Sequence, residues 1–198
     1  LFDSPDFANH EGVHACFDEK SGLRTIIAVH STARGPAAGG CRMWPYASAD
    51  AALTDALRLS QGMSYKNAMA DLPLGGGKAV IIGDARTDKT PALFEAFGRA
   101  VDSLGGRYWT AEDVGVSPGD LAHASRTTKY VAGLEGHDAA SGDPSPVTAE
   151  GVFRGVRLCV ERAYNRDLTG VTVAIQGVGH VGAYLADKLH AAGAKLII

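Results

Sequence analysis

The sequence predicts an α/β fold in two parts, and three observations carry that expectation. Between residues 23 and 131, strand-like apolar runs alternate with helix-like periodic segments. Residues 133–146 are rich in Gly, Asp, Ser and Pro, the composition of a connecting segment. Beyond them, a β-branched run at 171–176 passes through Gly177-Val-Gly-His-Val-Gly182 into a helical pattern. The 198 residues, 45% of them hydrophobic, suffice for one large core or two small ones.

In chain order, residues 14–18 and 23–30 flank Glu19-Lys-Ser-Gly22 as a hairpin. Residues 33–42, with Gly35, Pro36, Gly39 and Gly40, read as a loop. Ser48 caps a helix to about Tyr65, with Ala52, Leu53, Ala56, Leu57 and Leu59 as its apolar stripe. The helical pattern then yields to Pro73 and Gly75-Gly-Gly77, read as a turn with room for a small molecule to approach the backbone. Lys78 follows at the mouth of a buried strand, Ala79-Val-Ile-Ile82. Thr90 and Pro91 open a helix that buries Leu93, Phe94, Phe97 and Val101 and ends at Gly105-Gly106.

A short strand at 107–110 runs into Glu112-Asp113, Ser117-Pro118 starts a short helix, and Tyr130-Val131 reads as a last strand. After the connecting segment, Ser145-Pro146 opens a helix with Val152, Val156, Cys159, Val160 and Ala163 on one face. The strand at 171–176, a helix carrying Val181, Leu185 and Leu189, Gly193 as its stop and a second strand from Lys195 complete the chain. Strand, turn, helix and one further strand cannot bury a sheet alone, so the chain reads as a piece of a longer protein.

Composition excludes several classes of function. A formal net charge of −3 with no Lys/Arg-rich run gives no electrostatic support for nucleic acid or a membrane surface as partner. The longest apolar runs fall far short of a membrane span, and no basic segment followed by an apolar one opens the chain. Cys16, Cys41 and Cys159 are odd in number and widely spaced, which fits a reduced, cytoplasmic protein better than a disulfide framework. Neither the cysteines nor the seven histidines have metal-ligand spacing, so no metal is expected.

Gly177-x-Gly179-x-x-Gly182 is a dinucleotide fingerprint in its required frame, after a strand and opening a helix. The first glycine permits the tight turn, the second close approach of a pyrophosphate, the third close packing of helix on strand. The acidic residue that would choose NAD over NADP is expected about 20 residues beyond the glycines, at or past Ile198.

A lysine after three glycines is more often a solvated turn residue or a phosphate ligand than a catalyst. Lys78 is not a Walker A lysine, because the required first glycine of Gly-x-x-x-x-Gly-Lys and the Ser or Thr after the lysine are missing. As a general base it would need its neutral form within reach, which burial and a second cation such as Lys66 both favour. The same two lysines could clamp a carboxylate, whereas Lys66 alone reads as a surface residue. Asp113 lies where a strand ends before a helix, a position that faces ligands in α/β folds but also suits a turn or cap.

The ordered set Gly35-Pro-Ala-Ala-Gly-Gly40, Lys66-Asn-Ala68, Gly75-Gly-Gly-Lys78, Thr110-Ala-Glu-Asp113 and Gly142-Asp-Pro-Ser-Pro-Val-Thr148, followed by the glycine fingerprint, spans nearly the whole chain. It resembles the glutamate/leucine/phenylalanine/valine dehydrogenase family. The resemblance implies NAD-dependent oxidative deamination of an L-amino acid to the 2-oxo acid and ammonia. It implies a substrate-binding and oligomerisation domain over residues 1–135 and the start of a Rossmann-type NAD-binding domain over 143–198. It assigns Lys66 to the substrate carboxylate, Lys78 to activating water, and Asp113 to exchanging protons with the departing amine. Gly39, Gly40 and Met63 line the substrate site, Thr148 lies near the nicotinamide, and Gly177, Val178, Gly179, His180, Val181 and Gly182 take the cofactor. Family members form homo-oligomers.

Glutamate-type members carry a lysine at the position of Ala38, so burying a second substrate carboxylate here would be costly and an apolar amino acid is expected. Ala38 widens the pocket towards phenylalanine, while Ala111 matches the leucine/valine pattern; the two point in opposite directions. Two other readings are a glutamate-type enzyme and a non-catalytic fragment that only binds or oligomerises.

Overall fold

The structure is a computed structural model, and it describes residues 1–134 and 143–198. The chain divides into two compact units, Leu1–Gly142 and Asp143–Ile198. Most of the glycine-rich stretch expected to connect two parts lies outside the described residues.

In the first unit, β1 (Gly12–Asp18) and β2 (Leu23–Ser31) form the expected hairpin, with Gly22 at φ +74 in its turn. The helix α1 (Ala49–Met69) starts on the Ser48 hydroxyl, which accepts from the Ala51 N–H. It runs one turn further than its apolar stripe indicated. The helices α2 (Pro91–Asp102) and α3 (Pro118–Ala124) begin at Thr90 and Ser117, each with proline in the first turn.

Two loop readings are corrected. Residues 37–42 of the expected loop belong to β3 (Ala37–Trp44), and Gly75–Gly77 open the central strand β4 (Gly75–Ile82) instead of forming a turn. Glycine weakens strands in general, but here it lets neighbours come closer than any side chain would allow. A Cβ on Gly76 would collide with the Ser64 side chain and backbone of α1, and one on Gly77 would lie 2.6 Å from the Tyr108 ring. Tyr130-Val131 is likewise no strand; Val131 makes a single bridge to Thr110 of β5 (Tyr108–Glu112).

The sheet order is β1-β2-β4-β3-β5. β4 pairs antiparallel with β2 and parallel with β3, and β3 is parallel to β5. Alternate residues along β4 divide the core between two faces. Ala79 and Ile81 join Phe94, Phe97, Val101, Tyr108 and Leu121 beneath α2 and α3. Val80 joins Ala28, Ala52, Ala56 and Leu57 beneath α1. Lys78 shares the parity of Val80, so its side chain enters the α1 side of the sheet.

The second unit holds α4 (Ser145–Tyr164), β6 (Thr172–Ala174), α5 (His180–Ala191) and β7 (Lys195–Ile197), with β6 and β7 parallel. Val160, Leu168, Leu189 and Ala194 form its core. The apolar face expected for α4 is only partly buried: Val160 is inside and Val156 half-buried, but Val152, Cys159 and Ala163 are exposed. Among the described residues, no helix is long and apolar enough to cross a membrane.

Candidate active site

Lys78 is a buried charge, 5% exposed in the middle of β4. Its Nζ lies 2.6 Å from Asp113 Oδ2. The two residues stand 35 positions apart in sequence and meet because β4 and β5 flank β3 in parallel register, with Asp113 just past the end of β5. Gly40 permits the approach. A Cβ there would collide with the Glu112 carbonyl oxygen and lie 2.9 Å from Asp113 Cβ.

Burial by itself would push the Asp113 carboxyl up. The Lys78 charge and hydrogen bond, the Val114 N–H and Arg42 together outweigh that and hold it below the ordinary aspartate value. Asp113 is therefore anionic, and an anion here keeps the buried ammonium compensated.

Sequence reading missed the groups behind this pair. Arg42 Nε donates to Asp113 Oδ2 at 3.1 Å, and Arg42 Nη1 donates to Asp55 Oδ2 at 2.9 Å. The same Asp55 oxygen accepts from the Tyr46 hydroxyl at 2.6 Å. Asn67 stood out in the sequence only as part of a motif, yet it is buried and donates from Nδ2 to the Gly75 carbonyl at 2.6 Å. That bond ties the last turns of α1 to the start of β4.

Lys66 sits in the last turn of α1, exposed, and takes part in no ion pair among the described residues. Gly39, Gly40, Ala38 and Ala111 lie side by side on β3 and β5, where Gly40 pairs with Ala111 and Gly39 with Thr110. Met63 of α1 covers this patch, its Cγ 3.1 Å from where a Gly39 Cβ would lie. Gly39 and Gly40 are themselves fully packed by protein, as are Gly75–Gly77. The room expected beside the three glycines is thus taken by α1, Ser31 and Tyr108. Ala38, Met63 and Ala111 are the half-buried side chains that a small molecule over this patch could reach.

In the second unit, the glycines of the fingerprint have separable jobs. Gly177 adopts φ +90, and a Cβ on Gly182 would collide with the Gly177 carbonyl, so the helix can lie against the turn only with glycine there. Gly179 is different: a Cβ there would meet nothing within 4 Å. It precedes α5, whose first turn has no side-chain cap, so backbone N–H groups face outward beside open space. Val178 and His180 are exposed and Val181 is half-buried. Thr148 lies exposed in the first turn of α4. Among the described residues no group of His, Cys, Asp and Glu is arranged to hold a metal.

Comparison with known proteins gives matches along both units. The chain is 52% identical over 199 residues to the leucine dehydrogenase of Geobacillus stearothermophilus, covering 100% of this chain and 54% of that protein. It is 50% identical over 192 residues to the phenylalanine dehydrogenase of Lysinibacillus sphaericus, covering 96% of this chain and 50% of that one. The crystal structure of L-tryptophan dehydrogenase from Nostoc punctiforme superposes with a TM-score of 0.69 at 45% identity, over 94% of this chain and 53% of that one. The chain thus spans about half the length of the relatives it matches. Residues 10–130 match the dimerisation domain of the Glu/Leu/Phe/Val dehydrogenases, and residues 143–198 match the domain that follows it in the same family. With both matches in order along one chain, the protein belongs to the glutamate/leucine/phenylalanine/valine dehydrogenase family.

Proposed function

We propose that this chain is the substrate-binding part, and the start of the cofactor-binding part, of an NAD-dependent dehydrogenase that converts an apolar L-amino acid to its 2-oxo acid and ammonia. The buried Lys78–Asp113 pair, 2.6 Å apart under α1, is the observation that carries this reading. A cation and a carboxylate that share a proton-bearing contact can pass a proton between them without exposing either to bulk water. Once the substrate carbon has lost its hydride, Lys78 takes the proton from the water that adds there, and Asp113 exchanges protons with the amine that leaves. Lys66, exposed at the end of α1, holds the substrate carboxylate as a point charge. Residues 1–135 bind substrate and support homo-oligomer formation; residues 143–198 begin the NAD-binding domain.

The fingerprint loop fits a dinucleotide. Gly177, Gly179 and Gly182 shape the turn, the backbone around Val178, His180 and Val181 would hold the pyrophosphate, and Thr148 would lie towards the nicotinamide. NAD held there would supply the acceptor for the hydride that leaves the substrate carbon. Ala38 supplies no cation for a side-chain carboxylate, which supports leucine, valine or phenylalanine over glutamate.

NAD reduction scanned with leucine, valine, phenylalanine and glutamate tests the proposal, on residues 1–198 and on the longest chain that contains them. Turnover of the apolar amino acids by the longer chain is expected. Activity on glutamate alone would overturn the substrate class, and no activity on any of the four would overturn the reading as an enzyme.

A further inference from the structure

We infer that Arg42 is a positioning residue for this reaction: a permanent cation that keeps the Asp113 carboxylate ionised and aimed at Lys78 while that lysine gives up and regains its proton. The inference rests on the function proposed above and goes beyond it.

Asp113 Oδ2 receives two cationic donors, Lys78 Nζ at 2.6 Å and Arg42 Nε at 3.1 Å. The two are not equivalent. A lysine that works as a base alternates between charged and neutral, whereas a guanidinium stays charged. If Lys78 were the sole cation, its deprotonation would leave a largely buried carboxylate without a counter-ion, and burial would then favour the protonated acid. Asp113 would already carry a proton at the stage where it has to accept one. Arg42 prevents this by remaining charged throughout the cycle.

Arg42 is itself fixed. Its Nη1 donates to Asp55 Oδ2 at 2.9 Å, and the same oxygen accepts from Tyr46 at 2.6 Å. Asp55 of α1 thus holds the side of the guanidinium that Asp113 does not use, and Tyr46, just after β3, fixes that Asp55 carboxylate in turn. Swinging Arg42 away from Asp113 would also break the contact to Asp55. A lysine at this position, with a single nitrogen, could not span both carboxylates in that planar arrangement.

The remaining ionisable neighbours do not compete for this role. The Cys41 thiol of β3 and the Tyr108 hydroxyl of β5 are buried, and burial pushes both up, so they stay neutral beside Asp113. Lys78 from β4, Arg42 from β3 and, through Arg42, Asp55 from α1 are the charges that set the state of Asp113.

Two measurements test this. In steady-state kinetics, Arg42→Met is expected to lower kcat about tenfold or more, to change KM for the amino acid by less than about threefold, and to move the acid limb of the kcat profile up by about one pH unit. Arg42→Lys restores part of the loss. Carboxyl-13C NMR of aspartate-labelled protein follows Asp113 without substrate, and its midpoint should rise in Arg42→Met and return part of the way in Arg42→Lys. An Arg42 that served packing alone would lower the melting temperature and leave acid limb and midpoint at their wild-type positions, which overturns the inference. Should Arg42→Met fail to fold, Arg42→Gln is read in the same way, and an unmoved midpoint in that variant overturns the inference equally. Failure of the function itself looks different: turnover survives Lys78→Ala, or is absent from wild type, while the Asp113 midpoint still responds to Arg42.

Discussion

A buried ammonium beside a carboxylate is stable only as a pair, because either charge alone would face its desolvation cost uncompensated. Asp113→Asn should therefore destabilise the first unit by about 3 kcal/mol, read from urea unfolding, as well as abolish turnover. Lys78→Ala should abolish turnover at every pH, while Lys66→Ala should chiefly raise KM for the amino acid; steady-state kinetics separate the two. Near-normal turnover in Lys78→Ala would remove the general-base assignment. Gly40→Ala places a methyl against the Glu112 carbonyl and Asp113 Cβ, so it should cost about 1–3 kcal/mol and slow catalysis by moving Asp113 away from Lys78. At this scale the sequence marked Lys78 by its setting between glycines and an apolar run, and it marked Asp113 weakly by its place after a strand. Arg42, Asp55 and Tyr46 gave no such mark. Their roles come from pairing across β3, β5 and α1, and an arginine thirteen residues before an aspartate carries no local signal of that.

Among the elements, α1 and β4 act as one piece. The Gly76 backbone touches α1 at Ser60 and Ser64, and Asn67 bonds the Gly75 carbonyl. Gly76→Ala would force the helix off the sheet, and a loss of about 3 kcal/mol or more in chemical unfolding is expected. Retention of wild-type stability would mean that α1 can shift freely over β4. The starts of α1, α2 and α3 were readable because capping residues and first-turn prolines act locally. β3 and the start of β4 were not. Both contain consecutive glycines and are buried on both faces, so neither shows the alternation by which a half-exposed strand is recognised. In α4, the exposed Val152 and Cys159 show that apolar periodicity named a face without showing how much of it these two units bury.

For the molecule as a whole, acid is the expected route to unfolding. His10, buried against the Leu57 carbonyl and Ser60 of α1, packs edge-on against His30, which bonds Ser64. Burial holds both, and His14, below the ordinary histidine value of 6.5. Between that value and the lowered folded ones the unfolded chain binds more protons, so stability rises with pH there and is lost as pH falls through it. Asp113 adds a second loss at lower pH, as its depressed carboxyl takes up a proton. Melting temperature should fall from about pH 6.5 downward, and His10→Asn should flatten the upper part of that slope. His10 precedes the first element read from the sequence, so this tie to α1 was invisible until the helix was in place. The strand order β1-β2-β4-β3-β5 has a consequence during synthesis. β2 and β3 are joined only through β4, so a nascent chain that has released residues 1–74 from the ribosome can form the β1–β2 hairpin but not the sheet. Arrest of translation there should yield a protease-sensitive chain, and protection should appear only once Ile82 has emerged.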